Sequence, residues 1–334
     1  MESIMKRPYF FLFCSIGFTL LCFSICRVPA QAPTRAKIVF ASTRNGNHGN
    51  AEIYVMNTDG SQQIRLTNYP RDDTDPTWSP DGKHIAFVSD RDHKGLPDIY
   101  LMNPDGKNIR RAFDDLAFRT APAWSPDGTQ IAYLTYSPEP DWAVYTQPLG
   151  GGEAERIAES GRGFSGFPAW SPDGTEIAFV SGKSPEWRMR IINIETREED
   201  ILQPKIQGDN TLYPAWSPDG KQLAFSVWRW EGEPSIYIVG RDGKEREEIV
   251  KNTFGTLAWS PDGKKLLYPK TVDGSDMLFK IDLGTYTETL LARIGPSKHR
   301  NGNIGWDWFD PSILPVSPQP QLLTTVWGKM KIQN

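Results

Sequence analysis

The sequence predicts an all-β fold, a six-bladed β-propeller of four-stranded blades, on three observations. The pentapeptide Trp-Ser-Pro-Asp-Gly occurs five times, beginning at Trp78, Trp124, Trp170, Trp216 and Trp259, so that successive tryptophans stand 46, 46, 46 and 43 residues apart. Such a fixed period belongs to repeat architectures. Within each period the apolar residues fall into short runs rich in β-branched and aromatic side chains and bounded by turn residues, the pattern of strands rather than helices. Finally, the first unit lacks its opening run, while Trp306 follows Trp259 by 47 residues, in phase with the others. A ring closed by its C-terminal end leaves no free strand edge at that point.

The second unit shows the internal order best. Thr77 to Ser79 leads into a Pro80-Asp81-Gly82 turn, Ile85 to Ser89 is the second strand, and Ile99 to Asn103 the third; after a Pro104-Asp105-Gly106 turn, Ile109 to Phe113 is the fourth. Proline presets the first turn position, aspartate suits the second, and glycine takes the positive φ that ends the turn. The chain enters the ring with Ile38 to Ser42, Ile53 to Asn57 and Ile64 to Thr67, which match the second, third and fourth strands of a unit. Unit three replaces its second turn by Gly150-Gly151-Gly152 and unit four by Glu195-Thr196. Unit six runs through Leu266 to Tyr268, Met277 to Asp282 and Thr289 to Ala292, with Pro269 expected just beyond a strand, where a missing N–H is tolerated. After a polar loop over 295–303, residues 303–309 are expected to form the innermost strand of the blade otherwise made by residues 37–68. The propeller then spans 37–311, and 312–334 is an extension expected to pack on the ring or extend it. Within it, Val316-Ser317-Pro318 before Leu322 to Trp327 mimics the start of a unit and would add an edge strand or begin a seventh blade.

The N-terminus has a different character. Lys6 and Arg7 precede an uncharged apolar run from Pro8 to Cys26, and Val28-Pro29-Ala30 offers a small-residue cleavage site before Gln31, the layout of a secretory signal peptide over 1–30. Left uncleaved, a run of this length would anchor the protein in the membrane. The residues before Cys22 and Cys26 are Leu21 and Ile25, neither of them small, which argues against lipidation. All three cysteines lie in this segment, so disulfides, thiolate metal sites and a cysteine nucleophile are excluded from the rest of the chain. The formal net charge is −4 at pH 7, and removing the signal would take away three cations and one acid. A mildly acidic, exported protein is a poor partner for a phosphate backbone, so nucleic acid is not an expected ligand.

Ile85-Ala86-Phe87-Val88-Ser89 after the Trp-Ser-Pro-Asp-Gly turn, Ile53-Tyr54-Val55-Met56-Asn57-Thr58-Asp59-Gly60, and Ile99-Tyr100-Leu101-Met102-Asn103-Pro104-Asp105-Gly106 closely resemble the repeats of TolB-like β-propellers. The resemblance covers roughly residues 37–310. It implies a periplasmic or secreted propeller of the cell envelope that binds partners without catalysis. About six residues separate the signal from the first strand, so no counterpart of TolB's additional N-terminal α/β domain is expected.

The repeated tryptophans Trp78, Trp124, Trp170, Trp216, Trp259 and Trp306, one per blade at constant phase, are expected to pack between neighbouring blades rather than to stack on a ligand. The Asp-Gly pairs lack the alternating ligands and closing glutamate of a calcium loop and are turns. Among the histidines, His48 and His93 fall in equivalent loops of adjacent units, His84 opens a strand, and His299 precedes the last unit. Some metal-dependent propeller lyases that cleave uronate polysaccharides hold their metal by histidine, which makes a secreted carbohydrate-active enzyme the second candidate function. Gly163-Phe164-Ser165-Gly166-Phe167 lacks the second glycine of a nucleophile elbow. No catalytic residue, metal or cofactor is expected, and a monomer is.

The predicted binding surface is the face formed by the loops between second and third strands and between blades. The other face is the uniform one of the Pro-Asp-Gly and Asn-x-Asp-Gly turns. The loop face carries Tyr69, Arg71, Phe118, Trp142 and Phe164, and with them the expected partner contacts Arg119, Arg162, Trp187, Trp228, Arg229, Trp230, His299 and Arg300. Tryptophan and arginine dominate binding hot spots, and recognition concentrates on variable loops of a rigid scaffold. A protein or a glycan is the expected partner.

Overall fold

The computed structural model describes residues 30–44, 50–137, 141–159, 164–183, 187–202, 209–296 and 305–313. The signal segment, His48, Arg162, His299, Arg300 and most of the C-terminal extension lie outside the described residues.

The described residues form six four-stranded antiparallel sheets. The first holds β1 (Lys37–Ser42), β2 (Glu52–Asn57) and β3 (Ile64–Arg65), and the second β4 (Asp73–Trp78), β5 (Ile85–Ser89), β6 (Asp98–Met102) and β7 (Arg110–Arg111). The third comprises β8 (Thr120–Trp124), β9 (Gln130–Ser137), β10 (Asp141–Pro148) and β11 (Glu155–Glu159). The fourth has β12 (Phe164–Trp170), β13 (Glu176–Gly182), β14 (Arg188–Asn193) and β15 (Glu199–Ile201). The fifth has β16 (Asp209–Trp216), β17 (Gln222–Arg229), β18 (Ser235–Gly240) and β19 (Glu247–Lys251). The sixth has β20 (Ala258–Trp259), β21 (Lys265–Val272), β22 (Ser275–Asp282) and β23 (Glu288–Pro296). The last strand, β24 (Trp306–Phe309), joins the first sheet against β1, with Phe40 opposite Trp306 and Lys37 opposite Phe309. The inner strands β24, β4, β8, β12, β16 and β20 contact one another in turn, and β20 meets β24. The ring is a six-bladed propeller closed by its last strand, as the missing first strand predicted.

Each repeated tryptophan sits between two blades. Trp78 packs among Val39, Ile53 and Val55 of the first blade and Ile85 and Phe87 of its own, and Trp306 lies among Phe40, Tyr54 and Met56 on one side and Leu267, Leu278 and Leu291 on the other. The indole N–H of Trp124, Trp216 and Trp259 donates back to the carbonyl of Thr77, Ala169 and Ala215 on the preceding inner strand, at 3.4, 3.1 and 3.0 Å. The ring is thus glued by one large apolar side chain per interface, and at three of them by a hydrogen bond as well.

The pentapeptide turn uses a residue whose part the sequence left unread. Ser79 Oγ donates to Asp81 Oδ1 at 2.7 Å and accepts from the His84 N–H at 2.9 Å, while Asp81 Oδ1 accepts from the Lys83 N–H at 3.0 Å. Ser125 and Asp127 repeat the arrangement, as expected of turn chemistry. Gly82 ends its turn at φ +66° and lies directly against the Phe309 ring, whereas a Cβ on the equivalent Gly128 would meet only Pro80, at 3.7 Å. Gly128→Ala is expected to cost about 1 kcal/mol for its left-handed backbone. Gly82→Ala should cost about 1–3 kcal/mol more, because Phe309 is packed against Trp78 and must move. Equal melting temperatures for the two variants would contradict this close approach at the seam.

Pro269 corrects an expectation. It lies within β21, opposite Leu278, and not beyond a strand. It is tolerated because β20 pairs with β21 only as far as Leu267, so the ladder on that side has already ended. The fourth strand of the second unit is also shorter than expected, Arg110–Arg111 instead of Ile109 to Phe113.

Candidate functional site

Four inner strands share an irregularity that shapes the centre of the ring. Pairing between first and second strands slips between Thr74 and Thr77, Thr120 and Ala123, Gly166 and Ala169, and Leu212 and Ala215. At each slip one residue has positive φ: Asp75 at 48°, Ala121 at 51°, Phe167 at 53° and Tyr213 at 55°. Each stands three places before its tryptophan and is followed by Pro76, Pro122, Pro168 or Pro214. Proline within an inner strand cannot donate to the ladder, so the strand bulges there, and a bulge re-aims its extra side chain. All four bulge residues line a central cavity of about 430 Å³, together with the tryptophans and the prolines of the Ser-Pro turns.

The cavity has an acidic side at the seam. Asp307 on β24 accepts from the Trp78 N–H and Thr77 Oγ1, both at 2.8 Å, and so ties the closing strand to the second blade. Asp75 accepts a 3.4 Å hydrogen bond from Thr120 Oγ1. Both carboxyls border the cavity and are partly exposed to it, and the burial that remains raises the pKa of each, that of Asp75 to about 7. Burial, together with the charge of Asp75, also pushes the Tyr213 phenol up.

Opposite this acidic side lies an aromatic one. The Phe167 and Tyr213 rings are 4.3 Å apart and Tyr213 meets Phe254 at 5.4 Å. The same cluster takes in Trp187 and Trp228 through Val180 and Leu212. Trp228 in turn contacts Trp230 edge-on, at 4.5 Å between centroids, and Trp230 is 66% exposed. Aromatic side chains of the cavity lining and of the loop face therefore belong to one packed cluster, together with Val180 and Leu212.

Of the residues expected to contact a partner, Trp187, Trp228 and Trp230 belong to this tract. Arg229 holds its loop in place: its guanidinium donates to Glu233 O at 2.8 Å and to the Tyr237 hydroxyl at 3.1 Å. Arg119 is placed differently from the expectation. It is 3% exposed, its Nη1 lies 3.1 Å from an Asp98 oxygen and its Nη2 2.6 Å from Asp115. Its charge is spent inside the blade, which leaves it outside the proposed contact set. Tyr69 and Arg71, both partly exposed, have partners within the blade loops, Tyr69 donating to Arg91 O at 3.0 Å and Arg71 pairing with Asp90 at 3.0 Å. Phe118 and Trp142 form a second, smaller cluster with the half-exposed Tyr136, at 5.6 and 5.4 Å between rings. His84 and His93 flank opposite ends of β5, so they stand on opposite faces and do not converge. Among the described residues no group of three His, Cys, Asp or Glu side chains is placed to hold a metal.

Asp75, Asp307, Phe167, Tyr213 and Phe254 were not anticipated. The signal available for the first four was positional: a proline two places before the tryptophan in four units, and the departures from Ser-Pro in the last one, Trp306-Asp307-Trp308.

The comparisons with known proteins agree with this architecture. A family model described as the TolB beta propeller domain matches residues 22–121 and 104–301. The structure of TolB from Acinetobacter baumannii superposes with a TM-score of 0.69 at 19% identity, over 82% of this chain and 66% of that one. An oligogalacturonate lyase in complex with manganese superposes with a TM-score of 0.55 at 17% identity, over 77% of this chain and 74% of that one. A protein described as the uncharacterized peptidase YuxL of Bacillus subtilis is 35% identical over 60 residues, 18% of this chain and 9% of that protein. The chain thus spans just under two thirds of the Acinetobacter TolB chain and a small part of the Bacillus protein. At these identities the two structures speak for the fold alone, whereas the family match covers most of the sequence: the chain belongs to the TolB β-propeller domain family.

Proposed function

We propose that this propeller is an exported, non-catalytic binding module of the cell envelope, and that a protein partner docks on the loop face over the aromatic tract of the fourth and fifth blades. The observation that carries the proposal is Trp230, 66% exposed and packed edge-on against Trp228 at the rim of the aromatic cluster. A large indole left in solvent beside a rigid aromatic base has the chemistry of a binding hot spot. The loop that presents it is braced by Arg229, so little conformational freedom is lost when a partner orders it. Export is supported by the charged start, apolar run and small residue at Ala30, and the envelope role by membership of the TolB propeller family.

The likeness in fold to an oligogalacturonate lyase favours a second reading, a carbohydrate-active enzyme, or a glycan as the ligand of the same rings. Fold likeness is a weak warrant for chemistry.

Capture from an envelope extract by immobilised protein separates these. Trp228→Ala with Trp230→Ala should keep the wild-type melting temperature within a few degrees and weaken capture of the protein partner by about thirtyfold or more, as loss of a hot spot of ~2 kcal/mol implies. Undiminished capture by this double variant would move the site off the tract. Release of unsaturated oligosaccharides from polygalacturonate would favour the enzyme.

A further inference from the structure

The central cavity is sorted by charge in a way that docking on the loop face does not require. Its ionisable lining groups are Asp75, Asp307 and Tyr213, and no Lys, Arg or His borders it among the described residues. The rest of the lining is indole, phenyl, proline and small side chains. The two carboxylates are not equivalent. Asp307 has both oxygens occupied, Oδ2 by Thr77 and Trp78 and Oδ1 by the Trp308 N–H at 2.7 Å. Asp75 has the long bond from Thr120 Oγ1 and a backbone bond from Ala121, and among the described residues no cation is paired with it. Its positive φ is shared with Ala121, Phe167 and Tyr213 and so belongs to the scaffold. What distinguishes it is a carboxylate where the equivalent blades place a methyl group or a ring.

We propose that the cavity binds an organic cation, an alkylguanidinium or alkylammonium group, which pairs with the Asp75 carboxylate among the surrounding aromatic rings. A carboxylate held largely out of water in a cavity wall gains far more from a counter-ion than one in bulk solvent, and aromatic rings compensate a cation for the hydration it gives up. A guanidinium is weakly hydrated and suits such a lining. A bare calcium ion would require six to eight oxygen ligands, and the lining offers one uncommitted carboxylate. The volume of about 430 Å³ is in the range of small-ligand sites. The cation is either a free small molecule or an Arg or Lys side chain of a docked partner. The site exists whether or not the tract on the loop face is where a partner docks.

The test is a tryptophan-fluorescence titration of the whole protein with butylguanidinium at pH 8, with butyramide as the neutral counterpart and calcium chloride as the bare ion. Butylguanidinium should bind saturably and butyramide should not. Burial holds the Asp75 pKa at about 7 in the empty protein, and the cation favours the ionised form. Binding should therefore weaken about tenfold or more as the pH falls from 8 to 5.5. Of the other groups facing Asp75, Asp307 on β24 is committed to its hydrogen bonds, Tyr213 on β16 stays protonated over this range, and Thr120 on β8 does not titrate. Asp75→Asn should remove the pH dependence and weaken binding at pH 8 about tenfold or more, while the Trp228→Ala, Trp230→Ala variant should bind as the wild type does. Asp75→Asn removes a charge held largely out of water and should fold; the pH dependence of the wild type decides the matter if it does not. No saturable signal, equal binding of butyramide, undiminished binding by Asp75→Asn, or saturation by calcium that butylguanidinium leaves untouched would each overturn the proposal. Loss of partner capture in saturating butylguanidinium would assign the group to the partner's side chain, and unchanged capture would assign it to a free cation.

Discussion

Ending the chain at residue 304 is expected to destroy the single cooperative melting transition of the ring, and Trp306→Ala alone to cost about 3–5 kcal/mol. β24 is four residues long, yet its side chains fill the junction of the last blade and the first, where β23 otherwise meets the first blade through bonds such as those from Ser42 Oγ and the Thr43 N–H to Ile294 O. Trp306 is 4% exposed in the cluster formed by both of those blades, Phe309 packs on Trp78 at 5.5 Å, and Asp307 bonds across to the second blade. Without the strand, β1 presents an unpaired edge along Lys37 to Phe40 and the apolar faces of the first and sixth blades are wetted. Thermal melts followed by circular dichroism check this, and an unchanged midpoint for the truncated chain would mean that closure is made elsewhere.

Arg119→Ala is expected to destabilise by a similar amount, about 3–5 kcal/mol, because it leaves Asp98 enclosed and uncompensated. Asp98 is 1% exposed and burial already raises its pKa in spite of the neighbouring guanidinium. The guanidinium also lies over the Phe113 and Tyr133 rings, at 4.8 and 5.4 Å, so its loss opens a gap among them. Pairing the change with Asp98→Asn should recover part of the loss, since the orphaned charge is then gone. Partner capture per folded molecule should be unaffected by Arg119→Ala. A variant that melts like the wild type but captures less would restore Arg119 to the contact surface.

The fate of Arg119 shows where sequence reading stops. Blade number, strand order, the closing strand and the structural part of the tryptophans follow from spacing and turn chemistry, because each repeat states them again in Trp-Ser-Pro-Asp-Gly. Loop residues are stated only once. Nothing in the sequence distinguishes an arginine that turns inward to a buried aspartate 21 positions away, like Arg119, from a residue that stays outside, like Trp230. The cavity was hidden for another reason. Asp75 and Tyr213 occupy the same bulge in blades that are not adjacent, so a shared lining appears only when the ring has closed. The prolines that cause the bulges were visible, but their consequence depends on which strand is innermost.

The most direct measurement of where recognition takes place is amide hydrogen exchange of the protein, alone and saturated with the partner it captures. Slowed exchange should concentrate around Trp187 and over 228–234, with the Pro-Asp-Gly turns at 80–82, 126–128 and 172–174 exchanging as in the free protein. Protection of those turns, with the 228–234 segment unchanged, would put the partner on the opposite face and contradict the assignment of the aromatic tract as the docking site.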